Sequence, residues 1–124
     1  MPVAGVVGMG MTEIPEHLRD VDWQDIGHGV LISFAGWYPN RELNPQDAHL
    51  PDVDRYMLLM GHQCRDVWAP NGCTLDSEVA RQVEPAGRPM WQVESWEPLT
   101  LSPSLLCRTC QLHGFIRGGR WIPA

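Results

Sequence analysis

Only one stretch of this chain carries apolar residues at helical spacing. Ile14, Leu18 and Val21 fall on one helical face, with Thr12 as N-cap and Pro15 in the first turn, which predicts a short helix over residues 13 to 20. Downstream the pattern changes to strands. Gly27 to Tyr38 (GHGVLISFAGWY) is rich in β-branched and aromatic residues and bounded by Gly and Pro39, which predicts a strand buried on both faces. Residues 39 to 55 hold three prolines and six charges with no sustained period and read as a loop. Tyr56 to Cys64 (YMLLMGHQC) is a second strand, whose parity places Leu58, Met60, His62 and Cys64 on one face.

The remainder is punctuated by turn residues. Pro70-Asn71-Gly72 predicts a turn, Thr74 to Val83 alternates in part like a strand, and Pro85 to Pro89 breaks the chain again. Met90 to Trp96 alternates as a strand. Leu99 to Leu106 is extended, with Pro103 kept out of the middle of a sheet, and Gly114 to Trp121 forms a hairpin around Gly118-Gly119. The fold class expected is mainly β (α+β): one small β-sheet domain with a short N-terminal helix and a CxxC-bearing C-terminal hairpin.

Composition limits the alternatives. The chain has 124 residues, 44% of them apolar and six of them Trp, enough for one packed core and too few for two domains. Met1 to Met11 has no basic n-region and runs into an acidic stretch, unlike an export signal. Translation starting at Met11 is compatible with it, so residues 1–12 are expected as a disordered tail and 13–124 as a zinc-stapled β-rich domain. No apolar run nears the ~20 residues of a membrane span, and the location expected is the cytoplasm, a host's if the chain is phage-encoded. The net charge of −6 disfavours nucleic acid, because no overall basic field faces a phosphate backbone. All nine basic residues are Arg, and the first 55 residues hold three of them against nine Asp and Glu, whereas residues 56–124 hold six of each.

The most specific chemistry is Cys107-Arg-Thr-Cys110. Two thiolates three positions apart around a tight turn can both reach one tetrahedral zinc at about 2.3 Å. Upstream stand His62, Cys64 and Cys73, so a structural zinc would staple two distant parts of the β domain. The ligand set expected is His62, Cys73, Cys107 and Cys110. Cys64 is the alternative fourth ligand, facing the same way as His62. His113 stands in reserve, because three ligands between Cys107 and His113 would strain one tetrahedron. Without an export signal, disulfides give way to metal ligands or core thiols. A redox CxxC needs a βαβ setting that LSPSLL does not provide.

Other candidates are weaker. Ser102 and Ser104 flank Pro103 near histidines, but without a Gly-x-Ser-x-Gly elbow or a matched acid they read as turn-shaping residues. Asp20, Asp22 and Asp25 lack the spacing of a calcium loop and read as a solvated face. Trp91 and Trp121 suit a core, while Trp37, ahead of the long loop, is the tryptophan best placed for a contact surface.

The segment from Trp96 to Trp121 (WEPLTLSPSLLCRTCQLHGFIRGGRW) resembles a family of small uncharacterised proteins of actinobacterial phages and prophages. The resemblance implies a phage or prophage origin and a zinc-binding β module, and no activity. The function expected is therefore a non-enzymatic interaction module that binds a phage or host protein through its acidic N-terminal face. The alternatives are a zinc-dependent hydrolase with an open coordination position and a zinc-hairpin nucleic-acid reader using Arg108, Arg117 and Arg120. Coordination count separates the first two, since four protein ligands close the metal and three leave it reactive.

Overall fold

A computed structural model describes residues 14–124. The tail expected over residues 1–12, the Met11 start and the Thr12 cap lie outside the described residues. The architecture is mainly β, as expected. Nine strands in three antiparallel sheets are described: β1 (Gln24–Gly27), β2 (Val30–Trp37), β3 (Val53–Cys64) and β4 (Val67–Thr74) in one, β5 (Gln92–Trp96) and β6 (Leu99–Ser102) in a second, and β7 (Leu105–Leu106), β8 (His113–Arg117) and β9 (Arg120–Pro123) in the third. No helix among the described residues is long and apolar enough to cross a membrane.

Helical structure departs from the sequence reading. Among the described residues the helix expected at 13–20 is one 3₁₀ turn, Glu16–Leu18, and the one α-helix, α1 (Glu78–Val83), lies inside the stretch read as partly strand-like. The missed signal was Ser77, whose hydroxyl accepts from the Ala80 N–H at 3.0 Å and caps α1. Residues 70–72 are also not a turn. The chain reverses at Arg65-Asp66, with Arg65 at φ 56°, and Pro70, Asn71 and Gly72 pair with Gly61, Met60 and Leu59 in β4. Pro70 is tolerated there because β4 is an edge strand, where a missing N–H breaks no inner ladder.

The two-sided burial of β2 has a direct cause. Val30 and Ile32 enter the main core with Leu58, Met60, Leu101, Leu105, Ile116 and Trp121, while Leu31 on the opposite face packs with Ile14 and Trp68. The main core thus fills the space between the four-stranded sheet and the C-terminal strands. A third cluster joins Leu50 and Tyr56 to Val79 and Ala80 of α1, with Trp37 packed against it. Trp37 also stacks on Tyr56 at 6.0 Å, so it is a core-edge residue.

In the third sheet Gly118 and Gly119 both have positive φ, 59° and 74°, which a two-residue hairpin between β8 and β9 favours. Gly114 in β8 serves closeness of approach: a Cβ there would lie 2.6 Å from the Trp121 ring and 2.7 Å from the Ile122 carbonyl oxygen. Because the second obstacle is backbone, Gly114→Ala is expected to destabilise the fold by about 1–3 kcal/mol, read as a lower unfolding midpoint. An unchanged midpoint would show that β9 has room to move.

Candidate functional site

Strand β3 ends, and the hairpin of β7 and β8 bends, at the same place. His62 and Cys64 occupy the last inward-facing positions of β3, and Cys107 follows β7 directly. The bend is held by hydrogen bonds from Cys107 N–H to the Leu112 carbonyl (2.8 Å) and from Gln111 N–H to the Cys107 carbonyl (2.7 Å), with Gln111 at φ 67°. One ligand atom from each of His62, Cys64, Cys107 and Cys110 lies within 4.8 Å of all the others, the one such His/Cys/Asp/Glu group among the described residues.

Cys64 and Cys107 sulfurs stand 3.8 Å apart. Two thiolates on one tetrahedral ion at about 2.3 Å are separated by about 3.8 Å, the tetrahedral edge. Both ring nitrogens of His62 are buried with no hydrogen-bond partner, although the residue is only 2% exposed. A buried imidazole left unpaired is costly unless a ligand takes its lone pair. The donor set fits a metal ion on these observations.

Thiol acidity differs within the cluster: burial, then contact with the Cys107 and Cys110 thiols, pushes Cys64 up to about 11. Burial pushes the Cys107 thiol up, but the backbone N–H groups of Cys110 and Thr109 outweigh it and bring it down to about 6, favouring the thiolate a metal needs. Burial alone pushes Cys73 up to about 12. Three of the four expected ligand residues, His62, Cys107 and Cys110, are brought together, and Cys73 is not with them. It shares the inward face of the sheet but pairs with Leu58, four residues along β3 from His62, or roughly 13 Å at the usual strand rise. Cys73 is a core thiol, and Cys64 takes the corner assigned to it. The register that decides this follows from the real turn at Arg65-Asp66.

His113 is not in that cluster either. Its Nε2 lies 2.9 Å from the Ser104 Oγ. Leu105 pairs with Gly114 and Leu106 with His113, so continuing the register by one residue sets Ser104 opposite Phe115 and diagonal to His113. Even-numbered residues of β7 and odd-numbered residues of β8 share the outer face, while Leu105, Gly114 and Ile116 face the core. A diagonal pair is within reach of a long side chain, and the imidazole spans it. Phe115 lies beside the His113 ring at 6.5 Å, and Trp91 Nε1 donates to the Ser104 carbonyl at 3.2 Å, fixing the backbone under the hydroxyl. Among the described residues no carboxylate bonds to the His113 ring, so the unit is a dyad. The reading of Ser104 as turn-shaping missed it, because the pairing becomes visible only when the CxxC is placed at the tip of a β7–β8 hairpin.

Ser104 opens onto a cleft of about 830 Å³ lined by residues that include Thr74, Trp91, Leu106, Arg88 and Arg108. One wall, residues 85–89, follows α1 and is tied down through Glu84. The Tyr56 hydroxyl donates to Glu84 Oε2 at 2.8 Å, the Thr74 hydroxyl donates to the same oxygen at 3.3 Å, and Arg88 approaches Oε1 at 3.6 Å. Burial, then the Glu84 contact, raises the Tyr56 phenol well above its ordinary 10.0. The folded state therefore binds this proton more tightly than the unfolded one. Its contribution to stability is complete below pH 10 and is lost as the pH rises further. Tyr56→Phe is expected to flatten the alkaline fall in unfolding free energy above that point. An identical slope in both proteins would remove Tyr56 as its source.

The other sequence candidates are dispersed. Arg117 lies over the Phe115 ring at 4.2 Å, Arg120 lines a hollow with Asp22 and Asp25, and Arg108 borders the Ser104 cleft, so the three form no shared patch. Asp25 accepts from the Gly27 N–H at 2.8 Å, a turn contact.

Fold and site together define a small antiparallel β protein with a serine–histidine pair at a cleft and a Cys₃His cluster beside it. The chain belongs to the BubE family, bacterial ubiquitination-like system serine proteases, which matches residues 41–124. No curated protein and no solved structure matches the chain. Family membership overturns the expectation of a non-enzymatic interaction module: the relatives are proteases, and hydrolysis, held as an alternative, is the better reading.

Proposed function

We propose that this chain is a serine protease in which Ser104 is the nucleophile and His113 the general base. The observation that carries the reading is the 2.9 Å contact between Ser104 Oγ and His113 Nε2 at the edge of a cleft, in a chain of a serine-protease family. The Ser104 oxygen attacks the carbonyl carbon of a peptide bond while His113 Nε2 takes the hydroxyl proton. Collapse of the tetrahedral intermediate breaks the C–N bond, and His113 returns the proton to the leaving nitrogen. Water, deprotonated by His113, then attacks the acyl-enzyme, and the proton goes back to the Ser104 oxygen as the acid leaves. The family's name places its members in ubiquitination-like systems, so the bonds cut are proposed to belong to protein components of such a system.

The Cys₃His cluster has a different role in this reading. Three thiolates and an imidazole suit zinc, with His62, Cys64, Cys107 and Cys110 as its holders. Zinc held by these four side chains would supply a structural joint, all four protein ligands being used. That count argues against the metal-dependent version of hydrolysis. Cys107 lies three residues after Ser104, and Cys110 three before His113, so the joint fastens the bend that sets base against nucleophile.

The direct test is labelling by a fluorophosphonate, which reacts with activated serine hydroxyls. Modification is expected on Ser104 and is expected to vanish in His113→Gln. Labelling elsewhere, or none, would remove the assignment.

A further inference from the structure

Arginine distribution around the cleft separates it from the rest of the molecule. The protein carries a net charge of −6, yet the residues lining the Ser104 cleft include two arginines, Arg88 and Arg108, and no aspartate or glutamate. Arg88 is shared with Glu84 at 3.6 Å. The guanidinium of Arg108 has no carboxylate partner among the described residues, and its backbone carbonyl is held by Gln111 Nε2 at 2.8 Å, on the bend next to Cys107. A planar cation on an anchored backbone beside an activated serine is suited to bidentate capture of a carboxylate.

We propose that this cleft selects an acidic peptide segment, with Arg108 as the specificity-determining residue and Arg88 assisting. The inference rests on the serine-protease reading and adds the chemical class of its substrate: a chain with Asp, Glu or a terminal carboxylate close to the bond that Ser104 attacks. Long-range charge works against such a ligand, because the acidic excess of residues 1–55 repels it. Preference for acid is therefore a local property of the cleft, which is built from residues 72–108.

The test uses a randomised peptide pool and a second pool in which Asp and Glu are replaced by Asn and Gln. Cleavage by the native chain is read by mass spectrometry, and binding is read with Ser104→Ala, which needs no catalysis. Acidic peptides are expected to be favoured about tenfold in both arms, as charge-assisted hydrogen bonds allow. Arg108→Glu is expected to erase that ratio and shift selection towards Lys and Arg. Arg88→Glu, away from the metal cluster, is expected to reduce it, with metal content and unfolding midpoint as controls of the fold. Equal treatment of the two pools, or an acid preference untouched by both variants, overturns the proposal. If no peptide is cut and Ser104 is not labelled while acidic peptides still bind preferentially, the protease reading falls and the cleft assignment stands.

Discussion

Ser104→Ala is expected to lower kcat for peptide hydrolysis by at least about a thousandfold, since removing the nucleophile of a serine protease abolishes the acyl-enzyme route. The side chain is half-buried at the cleft edge, and its loss opens no core cavity, so the unfolding midpoint is expected to stay within a few degrees. His113→Gln should fall nearly as far, and the double variant no further than the worse single one, because the two act as a unit. Ser102→Ala provides the contrast: Ser102 pairs with Gln92 in β6 and is expected to retain activity within about twofold. Steady-state kinetics on a cleaved peptide decide the matter. A Ser104→Ala protein that still turns over at a native rate would place the chemistry elsewhere.

Metal removal is expected to have the second large effect, on stability and activity together. Native protein should contain one zinc per chain by elemental analysis, and chelation should lower its unfolding midpoint by more than about 10 °C, because an ion held by these four side chains would join β3 to the β7–β8 hairpin. Cys64→Ser should lose the zinc and most of the Ser104 labelling. Cys73→Ala should keep a full complement of metal and lose only about 1 kcal/mol through its small core cavity. Full-strength melting after chelation, or metal lost from Cys73→Ala and kept by Cys64→Ser, would contradict the cluster.

Much of the fold was legible because the sequence alternates where one sheet face is buried. Leu58, Met60, His62 and Cys64 share the inward face expected of them, and Gly118-Gly119 makes the expected hairpin. The errors came from signals with two meanings. Pro70-Asn71-Gly72 has the composition of a turn, but its position at an edge strand is a tertiary fact that no local pattern contains. That misplacement brought Cys73 into the ligand set, since the hairpin register decides which thiol is level with His62. The dyad was hidden for a related reason. Ser104 and His113 become neighbours through a ladder of two residue pairs, Leu105 with Gly114 and Leu106 with His113, too short to leave a periodic signature. Helix α1 occupies six residues, also too few to establish a period, and only its Ser77 cap was readable.

Ser104, Cys107, Cys110 and His113 follow one another at intervals of three residues. Exchange of a spacer residue such as Thr109 leaves that interval intact. A one-residue slip of β7 against β8 would put the paired strands out of phase and turn the slipped side chains to the opposite face. The imidazole would then point into the interior while a core residue met the solvent. The phase of β7 against β8 is therefore as much a part of the Ser104–His113 pairing as the hydroxyl itself.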